Sequence, residues 1–446
     1  MKHVDTIIHA RWLIPVEPQS KVFEHHAVII EQGRIAAITN SASARRDYRA
    51  DDIVELDDHV LIPGLINAHS HLAMNLFRGI ADDLPLMNWL NEHIWPAEQR
   101  WVDDTFAFDG SMLAIAEMLR GGITCFNDMY FFPDQTARAA AQTGIRCNVG
   151  LIVLDFPTVW AHNADEYLDK GIRIHDALKG EPLVNTCFAP HAPYTVTDDV
   201  VLTRLGTLAD ELDIPIHMHI HETADEVEQA MATHKQRPLQ RLYQLGLLSP
   251  RLQAVHMTQL TQQEIVMCAE HGVNVIHCPE SNLKLASGFC PVAQLLEAGV
   301  NVALGTDGAA SNNDLDMFGE MRSAALLAKG VAKDARALPA AQALYCATMG
   351  GAKALALEGR IGSLSVGKDA DITAIDLGAL ETQPVYDPLS HLVYCCGRHQ
   401  VSDVWVRGKR LLQQRRLTTL DSDVVVQKAQ QWRNNVAATN SGLIHN

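Results

Sequence analysis

Histidine and acidic residues recur through the middle of this chain, each at the end of a short apolar run. His69 and His71 form an H-x-H pair closing "LIPGLINAHSH", and His191 closes "LVNTCFAPH". His217, His219 and His221 alternate in "PIHMHIHE" and run straight into Glu222. His256 ends "LQAVH", His277 ends "VNVIH" and Asp307 follows "NVALGT". Alternate side chains of an extended strand share a face, so His69 and His71 project together. Three imidazoles and one carboxylate suit a borderline divalent cation such as zinc or iron(II). With one coordination position open, such a cation brings the pKa of a water to near 7 and makes hydroxide available. A metal-free acid/base site is the competing reading, but it has little use for so many imidazoles. One histidine at a strand end is ordinarily structural; five or six converging on one rim are not.

The elements that carry these residues alternate. Eight candidate strands ("GLINAHSH", "TCFNDMYFF", "RCNVGLIVLDF", "LVNTCFAPHAPY", "PIHMHIHE", "LQAVHMTQL", "VNVIHCPES", "NVALGTDG") are separated by amphipathic runs such as "DQTARAAAQTG" and "TQQEIVMCAEHG". Several of these runs open on Ser, Thr or Asp and close on Gly, the cap chemistry of helices. Eight βα units predict an α/β fold, a (β/α)8 TIM barrel over residues 61–359, with the polar residues at its C-terminal rim. An open doubly wound sheet is the runner-up, but no G-x-G-x-x-G follows the first strand. Residues 1–60 and 360–420 alternate apolar and polar positions and predict one small, discontinuous β-sandwich domain built from both termini. Residues 421–446 read as a C-terminal helix and tail.

Bulk properties narrow the function. The formal net charge of −17 over 446 residues argues against a nucleic-acid partner and leaves a small neutral or cationic substrate open. Nine cysteines without a C-x-x-C pair predict reduced thiols rather than a disulfide framework. The N-terminus lacks a signal-peptide pattern, and no run approaches the roughly 18 apolar residues of a membrane span; a cytoplasmic protein with no membrane partner is expected. "GSLSVGKD" at residues 362–369 nearly spells a phosphate-binding loop, but Asp369 replaces the metal-binding hydroxyl and a strand follows, so it reads as a turn. The nucleic-acid deaminase signature H-x-E with P-C-x-x-C is absent. Cys278 in "HCPES" reads as a buried structural thiol rather than a nucleophile, within a segment that shapes the pocket.

"PGLINAHSH", "HIHE", "VHMTQL" and "GTDGAASNNDLDM" stand in the order and on the strands seen in the amidohydrolase superfamily, and the resemblance spans nearly the whole chain, down to "GRIGSLSVGKDADITAID". Within it, "HLAMNLFRGIADDLPLMNWLNEHIWPAE" resembles the methylthioadenosine/S-adenosylhomocysteine deaminases, relatives of the triazine chlorohydrolases. The resemblance implies one metal, zinc or iron(II), held by His69, His71, His219 and Asp307. His219 fits the family's H-x-x-E pattern, with Glu222 three residues on. Binuclear relatives carry a lysine after strand four; "CFAPHAPYTVT" has none.

The implied reaction is hydrolytic deamination at C6 of adenine, giving the inosine analogue and ammonia. Asp307 would take a proton from the attacking water, Glu222 would serve the neighbouring ring nitrogen, and His256 would orient the water and stabilise the developing oxyanion. Glu98 matches the family glutamate that accepts the ribose hydroxyls, His191 matches a substrate-contacting histidine, and Trp89 and Trp95 either wall the pocket or pack the loop. Relatives that take S-adenosylhomocysteine clamp its carboxylate with arginine shortly after strand three; here Arg146 stands at that strand's start. Without a bidentate clamp, 5′-methylthioadenosine is expected to outcompete S-adenosylhomocysteine. A free-purine deaminase, a triazine dechlorinase and a metal-binding scaffold without catalysis are the alternatives. A homo-oligomer is the family expectation.

Overall fold

A computed structural model describes residues 1–18 and 21–439. The chain begins with four strands: β1 (Lys2–Leu13), β2 (Phe23–Glu31), β3 (Arg34–Asn40) and β4 (Tyr48–Pro63). Eight more follow: β5 (Leu65–Ser70), β6 (Ile123–Tyr130), β7 (Arg146–Val153), β8 (Val184–Pro190), β9 (Ile216–Ile220), β10 (Leu252–His256), β11 (Asn274–His277) and β12 (Asn301–Leu304). These pair in sequential order, and each neighbouring pair runs parallel. β6 and β7 are buried along their whole length, as parallel strands covered on both faces must be.

The expected cap chemistry recurs in the connecting helices. Gln262–His271 opens on a Thr261/Glu264 capping box and ends at Gly272 with φ 67°. The first and last barrel strands meet through an irregular seam. Asp307 N–H donates to the His69 carbonyl at 3.0 Å. The Asn67 side chain replaces ladder bonds, donating to Thr306 Oγ1 at 2.7 Å and accepting Thr306 N–H at 3.0 Å. Gly305 permits this approach, since a Cβ there would lie 2.7 Å from His69 N. The protein is a TIM barrel.

The two β-rich flanks form one hydrogen-bonded ladder rather than separate units. β13 (Ile372–Asp376), β14 (Val401–Val406), β15 (Lys409–Gln413) and β16 (Arg416–Leu417) complete an eight-stranded sheet ordered β16-β15-β14-β13-β4-β1-β2-β3. The join is β13 against β4, antiparallel, with Ile372 opposite Pro63. β4 thus runs past residue 60. "GSLSVGKD" is a turn stapled by Lys368 Nζ to Ser363 Oγ at 2.7 Å. The C-terminal helix spans Ser422–Thr439, and the expected tail at 440–446 lies outside the described residues. Trp432 of that helix donates to Asp109 at 3.0 Å and packs edge-on against Phe106, bracing the segment between β5 and β6. That segment has its own apolar cluster, including Phe77, Trp89 and Ile94, and roofs the barrel's C-terminal rim. No helix among the described residues is long and apolar enough to cross a membrane.

Candidate active site

The rim gathers His69, His71, His219 and Asp307 so that one donor atom from each lies within 4.8 Å of all the others. His69 Nε2 stands 3.1 Å from Asp307 Oδ1 and 3.2 Å from His219 Nε2, and His71 Nε2 stands 3.1 Å from the same Asp307 oxygen. Bonds of about 2.0–2.1 Å to a tetrahedral cation put its donors about 3.3 Å apart. The spacing and the nitrogen-rich set both fit a divalent metal. Each imidazole is turned by a partner at its other nitrogen. His71 Nδ1–H donates to the Met129 carbonyl at 2.6 Å and His219 Nδ1–H to the His191 carbonyl at 2.7 Å. His69 Nδ1 meets His217 Nε2 at 2.7 Å.

Electrostatics follow from burial and this crowding. Desolvation lowers His69 to about 4 and holds His219 well below the usual imidazole value. Burial opposes charge on His71 too, but the hydrogen bond to Asp307 lifts it to about 9. Burial alone would raise Asp307; the bonds from His69 and His71 hold it well below the carboxylate range. Glu222 is raised by burial, with Asp307 adding to the shift and His256 opposing it. His256 and Asp307 adopt left-handed backbone, φ 73° and 61°. Such conformations cost non-glycine residues on the order of 1–3 kcal/mol each and cluster at functional sites.

A cavity of about 470 Å³ opens above the cluster, and Glu222, His256, Asp307, His191, Glu98 and Trp89 all line it. His256 Nε2 lies 3.8 Å from Glu222 Oε1. Glu98, on the helix Trp95–Trp101, is 9% exposed and is raised to about 7, chiefly by burial, beside the Tyr130 hydroxyl. Trp95, Leu154, Phe156 and Val159 add apolar lining, with Phe156 and Val159 exposed at an apolar mouth, and no lysine or arginine is among the described residues that line the cavity. Arg146 is at the barrel's other end, fully buried and bound to Asp369 and Asp371 at 2.9 Å each.

The three histidines of "HMHIHE" diverge. Only His219 joins the cluster; His217 lies behind His69, and His221 turns away to accept Leu239 N–H at 3.1 Å. His277 is buried outside the cavity lining, and Cys278 is buried with its thiol pushed well up by desolvation. Sequence reasoning missed the residues that aim Asp307 and His256. Ser281 and Ser311 donate to Asp307 Oδ2 at 2.6 and 2.8 Å, leaving Oδ1 to the cluster. Asn282 Oδ1 accepts from His256 Nδ1 at 2.8 Å, which turns His256 Nε2 toward the cavity. Ser281 and Asn282 sit on one short helix, Pro279–Lys284, directly after β11, and that position in "HCPESNLK" was the available signal.

The amidohydrolase family model matches residues 60–411, and the chain belongs to this family. It is 49% identical over 434 residues to a 5-methylthioadenosine/S-adenosylhomocysteine deaminase of Saccharophagus degradans, with 97% of each chain covered. A protein of the same name from Teredinibacter turnerae is 48% identical over 435 residues, with 98% of each covered. Among solved structures, an adenosine deaminase from Xanthomonas campestris with bound zinc superposes with a TM-score of 0.97 at 54% identity, covering 98% of this chain and 99% of that one. An atrazine chlorohydrolase from Arthrobacter aurescens, at 23% identity and a TM-score of 0.88, shares the fold.

Proposed function

We propose that this chain is a metal-dependent hydrolase that deaminates adenine nucleosides at C6, with 5′-methylthioadenosine its preferred substrate. Its near-full-length relatives bear the name of that activity. The observation that carries the reading is one cavity holding Glu222, His256 and Asp307 above a three-imidazole, one-carboxylate cluster, with Glu98 further along its wall. His69, His71, His219 and Asp307 would hold one cation. Zinc is the favoured ion, iron(II) suiting the same donors.

A divalent cation bound there supplies the Lewis acidity that makes a water nucleophilic near neutral pH. Asp307 accepts a proton from that water, while His256 Nε2 accepts a hydrogen bond from it and aims its oxygen at C6. Burial favours the neutral form of Glu222, the form whose carboxyl can deliver a proton to N1 as the C6–O bond forms. The proton on Asp307 then passes to the exocyclic amine, the C6–N bond breaks and ammonia leaves. Glu222 takes back a proton from the new hydroxyl, and the keto product remains.

Glu98 accepts the ribose hydroxyls, and His191 and Trp89 contact the nucleoside. A free purine or a triazine would leave Glu98 without a partner, and a scaffold without catalysis would have no use for Glu222. The apolar mouth suits a methylthio group. An amino-acid carboxylate there forgoes charge-assisted hydrogen bonds worth about 1.5–3 kcal/mol, or about 10- to 100-fold in kcat/KM. Nine unpaired cysteines support a cytoplasmic enzyme, and a homo-oligomer is proposed on family grounds.

Metal analysis with steady-state kinetics on methylthioadenosine, adenosine, S-adenosylhomocysteine, guanine and a chlorotriazine tests this reading. Ammonia should be released from the nucleosides, methylthioadenosine fastest, and only with metal present. Equal kcat/KM for methylthioadenosine and S-adenosylhomocysteine would overturn the preference. Turnover of guanine or the triazine alone would overturn the substrate class.

A further inference from the structure

His71 and His219 lean on main-chain carbonyls, which side-chain substitution at Met129 or His191 does not delete. His69 differs, because its Nδ1 meets a side chain, His217 Nε2, at 2.7 Å. The two rings lie 4.9 Å apart, tilted by 44°. His217 is fully buried, does not line the cavity and contributes no donor to the cluster. We propose that His217 is a positioning residue for the metal centre: it accepts the Nδ1 proton of His69 and so presents His69 Nε2 to the cation. This rests on the reading of His69 as a ligand.

The surroundings of His217 support the assignment. With Nε2 accepting from His69, the His217 proton sits on Nδ1, and Gln253 hydrogen-bonds the ring. The Asn127 amide, 3.2 Å from Nδ1, directs its two protons to the Ala68 carbonyl at 3.2 Å and Gln253 Oε1 at 2.9 Å. Asn148 donates to Asn127 Oδ1 at 2.9 Å, and Gln253 donates to the Ala354 carbonyl at 2.7 Å. Strands β5, β6, β7, β9 and β10 therefore share one buried network where branched apolar side chains ordinarily fill such a barrel. The network holds the His217 ring in place. A ligating histidine usually donates its second N–H to a carboxylate, a carbonyl or water. A neutral imidazole orients the ligand equally well and adds no negative charge, so Asp307 remains the one anion of the ligand set.

Zinc affinity of the full chain, measured by competition with a chromophoric chelator, tests the proposal without recourse to activity. His217→Leu removes the acceptor at similar bulk and should weaken zinc binding about 10- to 100-fold, the loss usual for such partners. His217→Gln offers an amide oxygen to His69 and should restore most of the affinity. Wild-type affinity in H217L overturns the proposal, as does equal weakening in both variants. Should H217L not fold, zinc-loaded wild-type protein labelled with 15N-histidine decides. The expected pattern is a proton on His69 Nδ1 and none on His217 Nε2; the reverse overturns the proposal. His69→Ala separates the two claims. If H69A binds zinc like wild type, the ligand reading fails; if H69A loses zinc while H217L keeps it, only the role of His217 fails.

Discussion

Two buried polar clusters, at opposite ends of the barrel, use ionisable groups in opposite ways. Where the barrel meets the terminal sheet, Arg146 binds Asp371 through Nε and Asp369 through Nη2, each at 2.9 Å. Arg360 adds a second cation to Asp369 at 2.9 Å, and Arg407 N–H donates to Asp371 at 2.8 Å. Both carboxylates of that cluster are held by cations and main-chain N–H, although Arg146 Nη1 is buried without a partner of its own. At the rim, Asp307 Oδ1 faces two imidazole nitrogens, His256 and Glu222 turn into the cavity, and Trp89 Nε1 is buried without a hydrogen-bond partner. Partners withheld within the fold leave groups free for a ligand. The junction should therefore answer to stability measurements and the rim to kinetics.

The largest test of that contrast is Glu222→Gln, which keeps shape but has no proton to deliver. Its kcat should fall about 10²- to 10⁴-fold with zinc content unchanged and a denaturation midpoint no lower than wild type. A lowered midpoint would erase the distinction. Arg146→Met should do the reverse, costing about 3–5 kcal/mol in urea unfolding because two carboxylates lose their buried partner. The surviving folded enzyme should keep its kcat/KM; a fall would mean the junction acts on the rim.

Glu98 sharpens the comparison through pH. Burial raises it from 4.5 to about 7, so the folded state favours the neutral acid, and this contribution to stability is lost as pH rises across that interval. Accepting ribose hydroxyls needs the ionised form. For methylthioadenosine, kcat/KM should rise with pH through about 7, and Glu98→Gln should remove that limb. At pH 8 the variant should be about 10- to 100-fold worse, a loss of 1.5–3 kcal/mol in charged hydrogen bonds, and near wild type below pH 6. A flat wild-type profile would remove Glu98 from ribose recognition. The smallest effect belongs to Asn282→Ala. Losing one bond of about 0.5–1.5 kcal/mol to His256 should lower kcat about 2- to 10-fold with KM unchanged; an altered KM alone would make Asn282 part of the pocket wall.

Periodicity made much of this arrangement legible in advance. A strand end is visible where an apolar run stops, which puts His69, His71, His256 and Asp307 on one rim from sequence alone. The same logic was blind within "HMHIHE", since residues two apart share a face and all three histidines qualify. The choice turns on where β9 ends, after Ile220, and on the left-handed turn at His221, φ 55°. Ser281, Ser311 and Asn282 stayed hidden for a different reason: loop and single-turn residues have no period, and a hydroxyl or amide gains meaning only from what lies opposite. The flanks showed their alternation, but not that β13 would join the edge of β4.

The seam between β5 and β12 also sets an order of events during synthesis. His69 and Asp307 are 238 residues apart and meet only when the last barrel strand docks against the first. A ribosome-bound chain that has not yet released Asp307 carries three of the four proposed ligands and no closed site. Ion capture would therefore mark the finished barrel. Any ion held across the seam would favour the closed state by mass action, clasping the oldest and youngest strands of the barrel together.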